Sequence, residues 1–192
     1  MSAASQSTFR DSVISCLQVG LHEKEFLPLN KFVELVTLEQ VYISLKDARV
    51  PNSEELKDFI FTKGAKRIFL VLTLMGHVPL LDQFHHHGLD DNALPIPFNG
   101  DRGKDTYNRF PFLRSWDINL KGLFKQYQWM LMAPSFGDSD FRLHFDHEHV
   151  LPYLEQGSVA ASGFFGEVFK TVIHKAHLAP SLWPRVSPSS RV

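Results

Sequence analysis

Residues 65–75 read AKRIFLVLTLM, the most continuous apolar stretch of the chain. A helix built from this stretch is apolar on most sides, as expected of a central helix with neighbours all round it. The β-branched residues Ile68, Val71 and Thr73 would also suit a buried strand. Gly76 follows directly and can end a helix in the left-handed conformation, which favours the helix. The stretch is shorter than the ~20 residues that a membrane-spanning helix needs.

Amphipathic helices are predicted on both sides of this central stretch. Apolar residues recur at intervals of three and four, the spacing that lines one face of a helix. Thr37 and Gln40 have the spacing of a capping box, in which the first side chain accepts a hydrogen bond from the N–H of the second residue. Asn52 and Glu55 repeat this spacing. We expect helices over residues 9–17, 29–36, 38–45, 53–60, 79–87 and 117–128.

The helical pattern is interrupted between residues 95 and 111. Three prolines and two glycines punctuate this polar segment, and Asn99-Gly100 is a turn signal. We therefore expect a loop here. Gly103-Lys104 does not form a phosphate-binding loop, because the preceding glycine has the wrong spacing and Asp105 replaces the required Ser or Thr.

Composition excludes several classes of protein. The 192 residues include 20 Lys plus Arg and 21 Asp plus Glu, which gives a formal net charge of −1. Collagen-like, disulfide-rich and wholly disordered chains have other compositions. Proteins that bind nucleic acid or an acidic membrane surface use a basic footprint, which this chain lacks. We expect no nucleic acid and no membrane as partner. The 17 phenylalanines are spread along the chain and indicate core packing.

Cysteine usage and the first residues bear on the compartment. The chain has one cysteine, Cys16, which cannot form a disulfide within the chain. This fits a reducing compartment. Cys16 lies in an apolar-periodic segment, so we expect a small buried side chain rather than a reactive thiol. Residues 1–6 lack the apolar core of a secretory signal. These observations favour an intracellular protein, cytoplasmic or nuclear.

Two groups of histidines are candidate metal ligands. They are His85, His86 and His87, and then His144, Asp146, His147, Glu148 and His149. Zinc needs three or four ligand atoms that converge at ~2.0–2.3 Å, and sequence neighbours rarely converge. His147-x-His149 is a spacing found in β-barrel metalloenzymes, but few strands are predicted here. We favour a solvated polar surface for both groups and assign no metal site.

The segment 161–168 reads ASGFFGEV, close to the pattern G-x-G-x-x-G-x-V. Residues 158–161 and 167–174 can form two strands on either side of a glycine turn. In such a turn, backbone N–H groups can lie over phosphates because glycine has no side chain to block them. The segment resembles the glycine-rich loop of protein kinases. The resemblance implies nucleotide-binding positions at Ala161, Ser162, Gly163, Phe164, Phe165, Gly166 and Val168, with Ala161 in place of the first glycine.

A wider stretch, residues 24–177, resembles the large protein kinases of filamentous fungi that carry an α-helical N-terminal region. In that family, W-x-F-L-A-P is followed by I-L-P-F, the glycine loop and V-K-I-H. This chain has WMLMAP at 129–134, VLPY at 150–153 and TVIH at 171–174, in the same order. The resemblance implies that residues 150–177 correspond to the start of a kinase N-lobe.

The elements that such a kinase needs for catalysis do not follow Val168. A kinase requires a lysine on the third strand, a catalytic-loop aspartate and a metal-binding Asp-Phe-Gly. No V-A-I-K, H-R-D or D-F-G sequence is present after Val168. Lys170 and Lys175 come too early in the chain for the strand-three role. The sequence therefore predicts a truncated, pseudokinase-like protein without phosphotransfer activity and without a cofactor.

We expect a mainly α fold with a short C-terminal β-hairpin that resembles the first two strands of a kinase N-lobe. The expected parts are a helical regulatory or interaction domain (1–149), an incomplete protein-kinase N-lobe fragment (150–177) and a disordered Pro/Ser tail (178–192). The expected partner is an unidentified protein. Two alternatives stay open. One is an ATP-binding kinase-family protein completed by missing sequence or by a partner, with ATP and Mg. The other is a small metal-binding protein that uses His144, His147 and His149.

Overall fold

A computed structural model describes residues 8–137, 143–145, 147–163 and 166–183. Within these ranges the fold is mainly helical with a C-terminal antiparallel hairpin, which confirms the predicted fold class. The helices are α1 (Phe9–Ser15), α2 (Leu29–Leu35), α3 (Leu38–Asp47), α4 (Ser53–Asp58), α5 (Lys66–Met75), α6 (Leu81–His86), α7 (Gly100–Arg109) and α8 (Ile118–Met130). The strands are β1 (Gln18–Val19), β2 (Glu25–Phe26), β3 (Tyr153–Gly163) and β4 (Gly166–Ile173).

Helix α5 lies at the centre of the fold, as predicted. All eight residues from Ile68 to Met75 are buried. Helices α1, α6 and α8 pack against it. Full burial of one large aliphatic side chain contributes roughly 1.5–3 kcal/mol relative to exposure, so α5 supplies much of the stabilisation of the core.

The N-terminus of α5 is capped from a distant part of the chain. Ala65, the residue that precedes the helix, has no polar side chain. The Asp91 carboxylate instead accepts hydrogen bonds from the backbone N–H groups of Arg67 at 2.8 Å and Ile68 at 3.0 Å. Burial raises the pKa of this carboxyl, and the two N–H bonds oppose that rise. A carboxylate at a helix N-terminus is also favoured by the helix dipole.

The two predicted capping boxes have different outcomes. Thr37 caps α3, and its hydroxyl accepts a hydrogen bond from the Gln40 N–H at 3.2 Å. The box predicted at Asn52 was wrong, because this residue has a left-handed backbone with a φ of 57° and makes no side-chain cap. Ser53 begins α4 instead, and its hydroxyl donates to the Val50 carbonyl at 2.7 Å.

The loop predicted over residues 95–111 was wrong in its second half, which forms α7 (Gly100–Arg109). Glycine normally weakens a helix, and Gly103 favoured the loop for that reason. Here the backbone of Phe98 passes so close that a Cβ atom on Gly103 would lie 2.8 Å from the Phe98 carbonyl carbon. The Tyr107 hydroxyl donates to the Phe98 carbonyl oxygen at 3.0 Å. The glycine therefore permits a close helix–loop contact.

An aromatic cluster fills the core between α6 and α8. Its ring centroids lie 5.3–6.2 Å apart, in the range of favourable aromatic pairs. The members are Phe84, Phe98, Phe112, Trp116 and Phe124. Core packing by phenylalanine was predicted, and these contacts show it.

One buried amide joins α8 to the segment before α7. Gln128 is 1% exposed, and its Oε1 accepts a hydrogen bond from the Ile96 N–H at 2.8 Å. Its Nε2 donates to the Ile96 carbonyl at 3.2 Å. Because Ile96 is also buried, its backbone N–H and C=O need hydrogen-bond partners within the protein. The Gln128 amide supplies both, as a neighbouring strand would in a β-sheet.

Strands β3 and β4 form an antiparallel hairpin that contains the strand predicted at 158–161, whereas the strand predicted at 167–174 ends one residue earlier, at Ile173. Tyr153 pairs with Ile173 at its base, and Gly163 pairs with Gly166 at its tip. The hairpin is followed by two 3₁₀ turns, Lys175–His177 and Pro180–Leu182. The second turn lies in the predicted Pro/Ser tail, and residues 184–192 of that tail lie outside the described residues.

We predict that Gln128→Leu lowers the free energy of unfolding by roughly 2–6 kcal/mol. The variant keeps the volume but leaves the buried N–H and C=O of Ile96 unpaired, and each such group costs about 1–3 kcal/mol. Urea unfolding measures the loss. Gln83→Leu, on the exposed side of α6, is the matched control and should change stability by less than about 0.5 kcal/mol. Equal losses in the two variants would contradict the bridging role of Gln128.

Candidate functional site

The glycine turn places the residues of the kinase-like motif at one end of the hairpin. Across the two strands, the pairs are Ala161 with Val168, Ser162 with Glu167 and Gly163 with Gly166. Gly166 has a φ of 152°, a backbone conformation that other residues rarely adopt. Phe164 and Phe165, which the resemblance places at the tip, lie outside the described residues.

A cavity of about 480 Å³ lies beneath the hairpin, and we call it the hairpin pocket. One side is the inner face of the hairpin, and the other sides are the loop between β1 and β2 and the segment that leads into β3. Its lining residues are Leu21, His22, Lys24, Phe145, His147, His149, Leu151, Tyr153, Gln156, Phe169 and Thr171. Its volume is in the range of ordinary small-molecule sites.

The loop between β1 and β2 is fitted closely to the start of β3. A Cβ atom on Gly20 would lie 2.8 Å from the carbonyl oxygen of Tyr153, so a side chain there would push the strand away. The Gly20 N–H donates to the Lys24 carbonyl at 2.8 Å and closes the loop. The Lys24 ammonium then donates to the carbonyl oxygen of His147 at 3.2 Å. These contacts place a cation at the wall of the hairpin pocket.

The two faces of β4 have different surroundings. Successive side chains of a strand point to opposite faces. Phe169 and Thr171 line the hairpin pocket, so Val168 lies on the other face, and it is 60% exposed. In the kinase pattern, the valine at this position covers the adenine of the nucleotide. The residue that the resemblance assigns to adenine therefore points away from the pocket that the hairpin forms.

The base of the hairpin is fixed to the helical part by a buried histidine, His177, which is 2% exposed. Its Nε2 accepts a hydrogen bond from the Leu29 N–H at 3.2 Å, at the start of α2. Its Nδ1 donates to the Pro134 carbonyl at 2.9 Å. Sequence reasoning missed this residue, because Leu29 lies 148 positions and Pro134 lies 43 positions away along the chain. No local pattern signals such a contact.

The first histidine group lies at the end of α6, where it was predicted. His87 stacks on Phe112 with ring centroids 4.9 Å apart, and His85 tilts against Phe59 at 5.1 Å. His86 and His87 are exposed and His85 is half-buried.

Two members of the second histidine group, His147 and His149, line the hairpin pocket. His147 is 92% exposed, and His149 packs on Trp129 with ring centroids 4.6 Å apart. His144 is exposed, and Asp146 lies outside the described residues. Glu148 forms an ion pair with Lys125, which lowers the pKa of its carboxyl. In the part of the chain that the structure describes, no three His, Cys, Asp or Glu side chains are placed to hold a metal ion.

No protein-family model, curated protein sequence or solved structure matches the chain. Among the described helices, none is both long enough and apolar enough to cross a membrane. The hairpin, its glycine turn and the pocket beneath it therefore provide the observations on which a function can be proposed.

We predict that Gly20→Ala destabilises the protein by about 1–3 kcal/mol, because the added methyl group overpacks the contact with β3. Gly122→Ala is the matched control: Gly122 is exposed on α8, and its Cβ would meet nothing within 4 Å. The control should stabilise the protein by roughly 0.5–1 kcal/mol, since alanine favours a helix interior. Thermal unfolding of the two variants gives the comparison. Stabilisation by Gly20→Ala would show that the loop does not constrain β3.

Proposed function

We propose that this chain is a kinase-like protein that does not transfer phosphate by itself and works as a mainly helical interaction module that presents its hairpin to a protein partner. The orientation of Val168 carries the proposal. This residue is 60% exposed on one face of β4, whereas the opposite face lines the hairpin pocket. A nucleotide held by the glycine turn in the manner of a kinase would rest on the Val168 face, against solvent.

The chemistry of phosphotransfer supports the same proposal. Catalysis of this reaction depends on positioning the phosphates and stabilising their charge with a lysine and metal-binding residues. The motifs that supply those groups in kinases do not occur after Val168 in the 192 residues. The glycine turn supplies backbone N–H groups, and these donors do not replace the lysine and the metal-binding residues that a kinase uses.

The exposed surface of the hairpin supports an interaction role. Four of its large apolar side chains are 40–60% exposed: Val159, Val168, Phe169 and Val172. Among the described residues, no further strand pairs with the outer edge of β3 or of β4. An unpaired strand edge is a ready template for a strand of another chain. A two-stranded hairpin is also only marginally stable by itself. A partner that covers it would therefore stabilise the hairpin, and burial of the apolar side chains would stabilise the complex.

ATP binding is the second candidate function, and the hairpin pocket is the observation that favours it. The pocket combines a cation, Lys24, with the aromatic rings of Phe145 and Phe169. A cation suits a phosphate, and a flat ring suits a purine. This mode of binding would use the inner face of the hairpin, and it would leave Val168 without a role.

We predict that the purified chain, supplied with Mg²⁺ and γ-labelled ATP, transfers no phosphate to itself or to a generic protein substrate above the level of Gly166→Val. The variant is the matched control because a β-branched residue strains the glycine turn at a φ of 152°. Transfer that this substitution removes would overturn the proposal.

A fluorescent ATP analogue separates the second candidate from the first. Saturable binding that is lost in Lys24→Met, and kept in the exposed Lys63→Met, would establish ATP binding in the hairpin pocket instead.

For the partner, we predict that the wild-type chain captures a protein in cells, and that the double substitution Val168→Asp and Val172→Asp abolishes this capture. Both side chains are exposed on the same face of β4, so the melting temperature should change by only a few degrees. Val33→Asp is the matched control, since Val33 is 67% exposed on α2, outside the hairpin. Capture that is equal in all three proteins would place the interaction elsewhere.

A further inference from the structure

The hydrogen bonds of His177 define its protonation state. The Leu29 N–H can only donate, so Nε2 of His177 must carry a lone pair and no proton. The Pro134 carbonyl can only accept, so Nδ1 must carry the proton. The ring is therefore neutral, in the tautomer with its hydrogen on Nδ1.

A second histidine in the same turn is under the same constraint. Nδ1 of His174 accepts a hydrogen bond from the Ala176 N–H at 3.2 Å, which requires a lone pair on that nitrogen. The ring of His174 lies edge-on to His177 with centroids 6.0 Å apart, and both rings meet the buried ring of Phe26 edge-on. Two protonated rings at this separation would repel each other next to an apolar side chain.

Backbone hydrogen bonds from this turn hold the hairpin and the residues after it to the rest of the fold. The His174 N–H donates to the Pro152 carbonyl at 2.9 Å, and the Phe136 N–H donates to the His177 carbonyl at 2.8 Å. The Ala179 N–H donates to the Phe136 carbonyl at 2.9 Å. The two histidines therefore lie at the seam where residues 174–183 meet α2 and the segment around Phe136.

The charged groups around the seam do not compensate a protonated ring. On α2, Lys31 and Glu34 pair with each other at 2.6 Å. Lys175 lies over the ring of Trp183 at 4.1 Å, and Tyr153 at the base of β3 is half-buried. Glu25 precedes Phe26 on β2 and lies on the opposite face of that strand. Among the described residues, no carboxylate forms a hydrogen bond or an ion pair with either imidazole.

We propose that His174 and His177 form a pH-sensitive clasp, which holds the hairpin base and residues 174–183 against the helical part while both rings are neutral and releases them when the rings are protonated. Protonation of His177 removes the acceptor for the Leu29 N–H and puts two N–H donors face to face. Protonation of His174 removes the acceptor for the Ala176 N–H. The remaining helical fold, built around α5, does not use either ring.

The direction of the pH effect follows from the environment of the rings. Burial lowers the pKa of both histidines, and for His177 it outweighs the opposing carbonyls of Pro134 and Leu27, while the neighbouring His174 lowers the pKa further. In the released state, both rings titrate near the ordinary value of about 6.5. The closed clasp is therefore most stable above about pH 7, and the equilibrium shifts toward the released state as the pH falls below about 6.5, by up to about tenfold per pH unit for each histidine.

Amide hydrogen exchange, corrected for the intrinsic pH dependence, tests the clasp. We expect the protection of the Leu29, Phe136, His174 and Ala179 amides to fall at least about tenfold between pH 7.5 and 5.5, while the amides of α5 keep theirs. Protection that changes less than about twofold, or that falls in α5 to the same extent, would overturn the proposal.

Substitution of His177 separates titration from packing. In His177→Gln, the amide side chain offers one donor and one acceptor as the neutral imidazole does, but it does not titrate. We expect this variant to reduce the fall in protection, and the exposed His147→Gln to leave it unchanged. An equal pH response in the two variants would contradict the clasp.

The wild-type protein offers a readout that needs no substitution. Long-range ¹⁵N–¹H correlation spectra at pH 7.5 should show His177 with its proton on Nδ1, the minor tautomer of a histidine in water. They should then show the protonated ring appear together with the loss of protection at the seam. A proton on Nε2 at pH 7.5 would overturn the proposal even if His177→Gln failed to fold.

Discussion

The burial of α5 on every side is the constraint from which the rest of the helical part follows. A helix without a polar face must be enclosed by other elements, and α1, α6 and α8 provide that enclosure. Enclosure also removes water from the N-terminal N–H groups of α5, which then need partners from the protein. Asp91 supplies those partners and thereby fixes the segment that leads into residues 95–111.

The same need for partners recurs wherever backbone is buried between elements. Gln128 pairs with the backbone of Ile96 and joins α8 to the segment before α7. His177 pairs with the backbone of Leu29 and Pro134 and joins the hairpin to the helical part. In each case a polar side chain replaces a secondary-structure hydrogen bond, and its loss would leave buried groups unpaired. His177 differs from Gln128 in that its ring can take up a proton, and burial lowers the pKa of that ring.

The hairpin combines a fixed base with an exposed outer part. His174, His177 and the loop at Gly20 hold the base of the hairpin against the rest of the fold. Val168 and Val172 are exposed on one face of β4, and no described residues cover that face. This arrangement suits an element that presents a surface to a partner. It also separates the two proposed roles of the hairpin, since a partner would contact the Val168 face and a small ligand would enter from the Phe169 face.

The sequence by itself determined the local structure: the central helix, the cap at Thr37 and the glycine-turn hairpin all depend on residues within a few positions of one another. It did not determine α7. Gly103 is needed in this helix because the backbone of Phe98 packs against it, and the periodicity of apolar residues does not reveal such a contact. Strand alternation fixed which residues of β4 share a face, but only the tertiary structure decided that Phe169 faces the body and Val168 faces out. The roles of Asp91, Gln128 and His177 were likewise decided by tertiary structure, because their partners lie 23 to 148 positions away and chain folding alone brings them within hydrogen-bond distance.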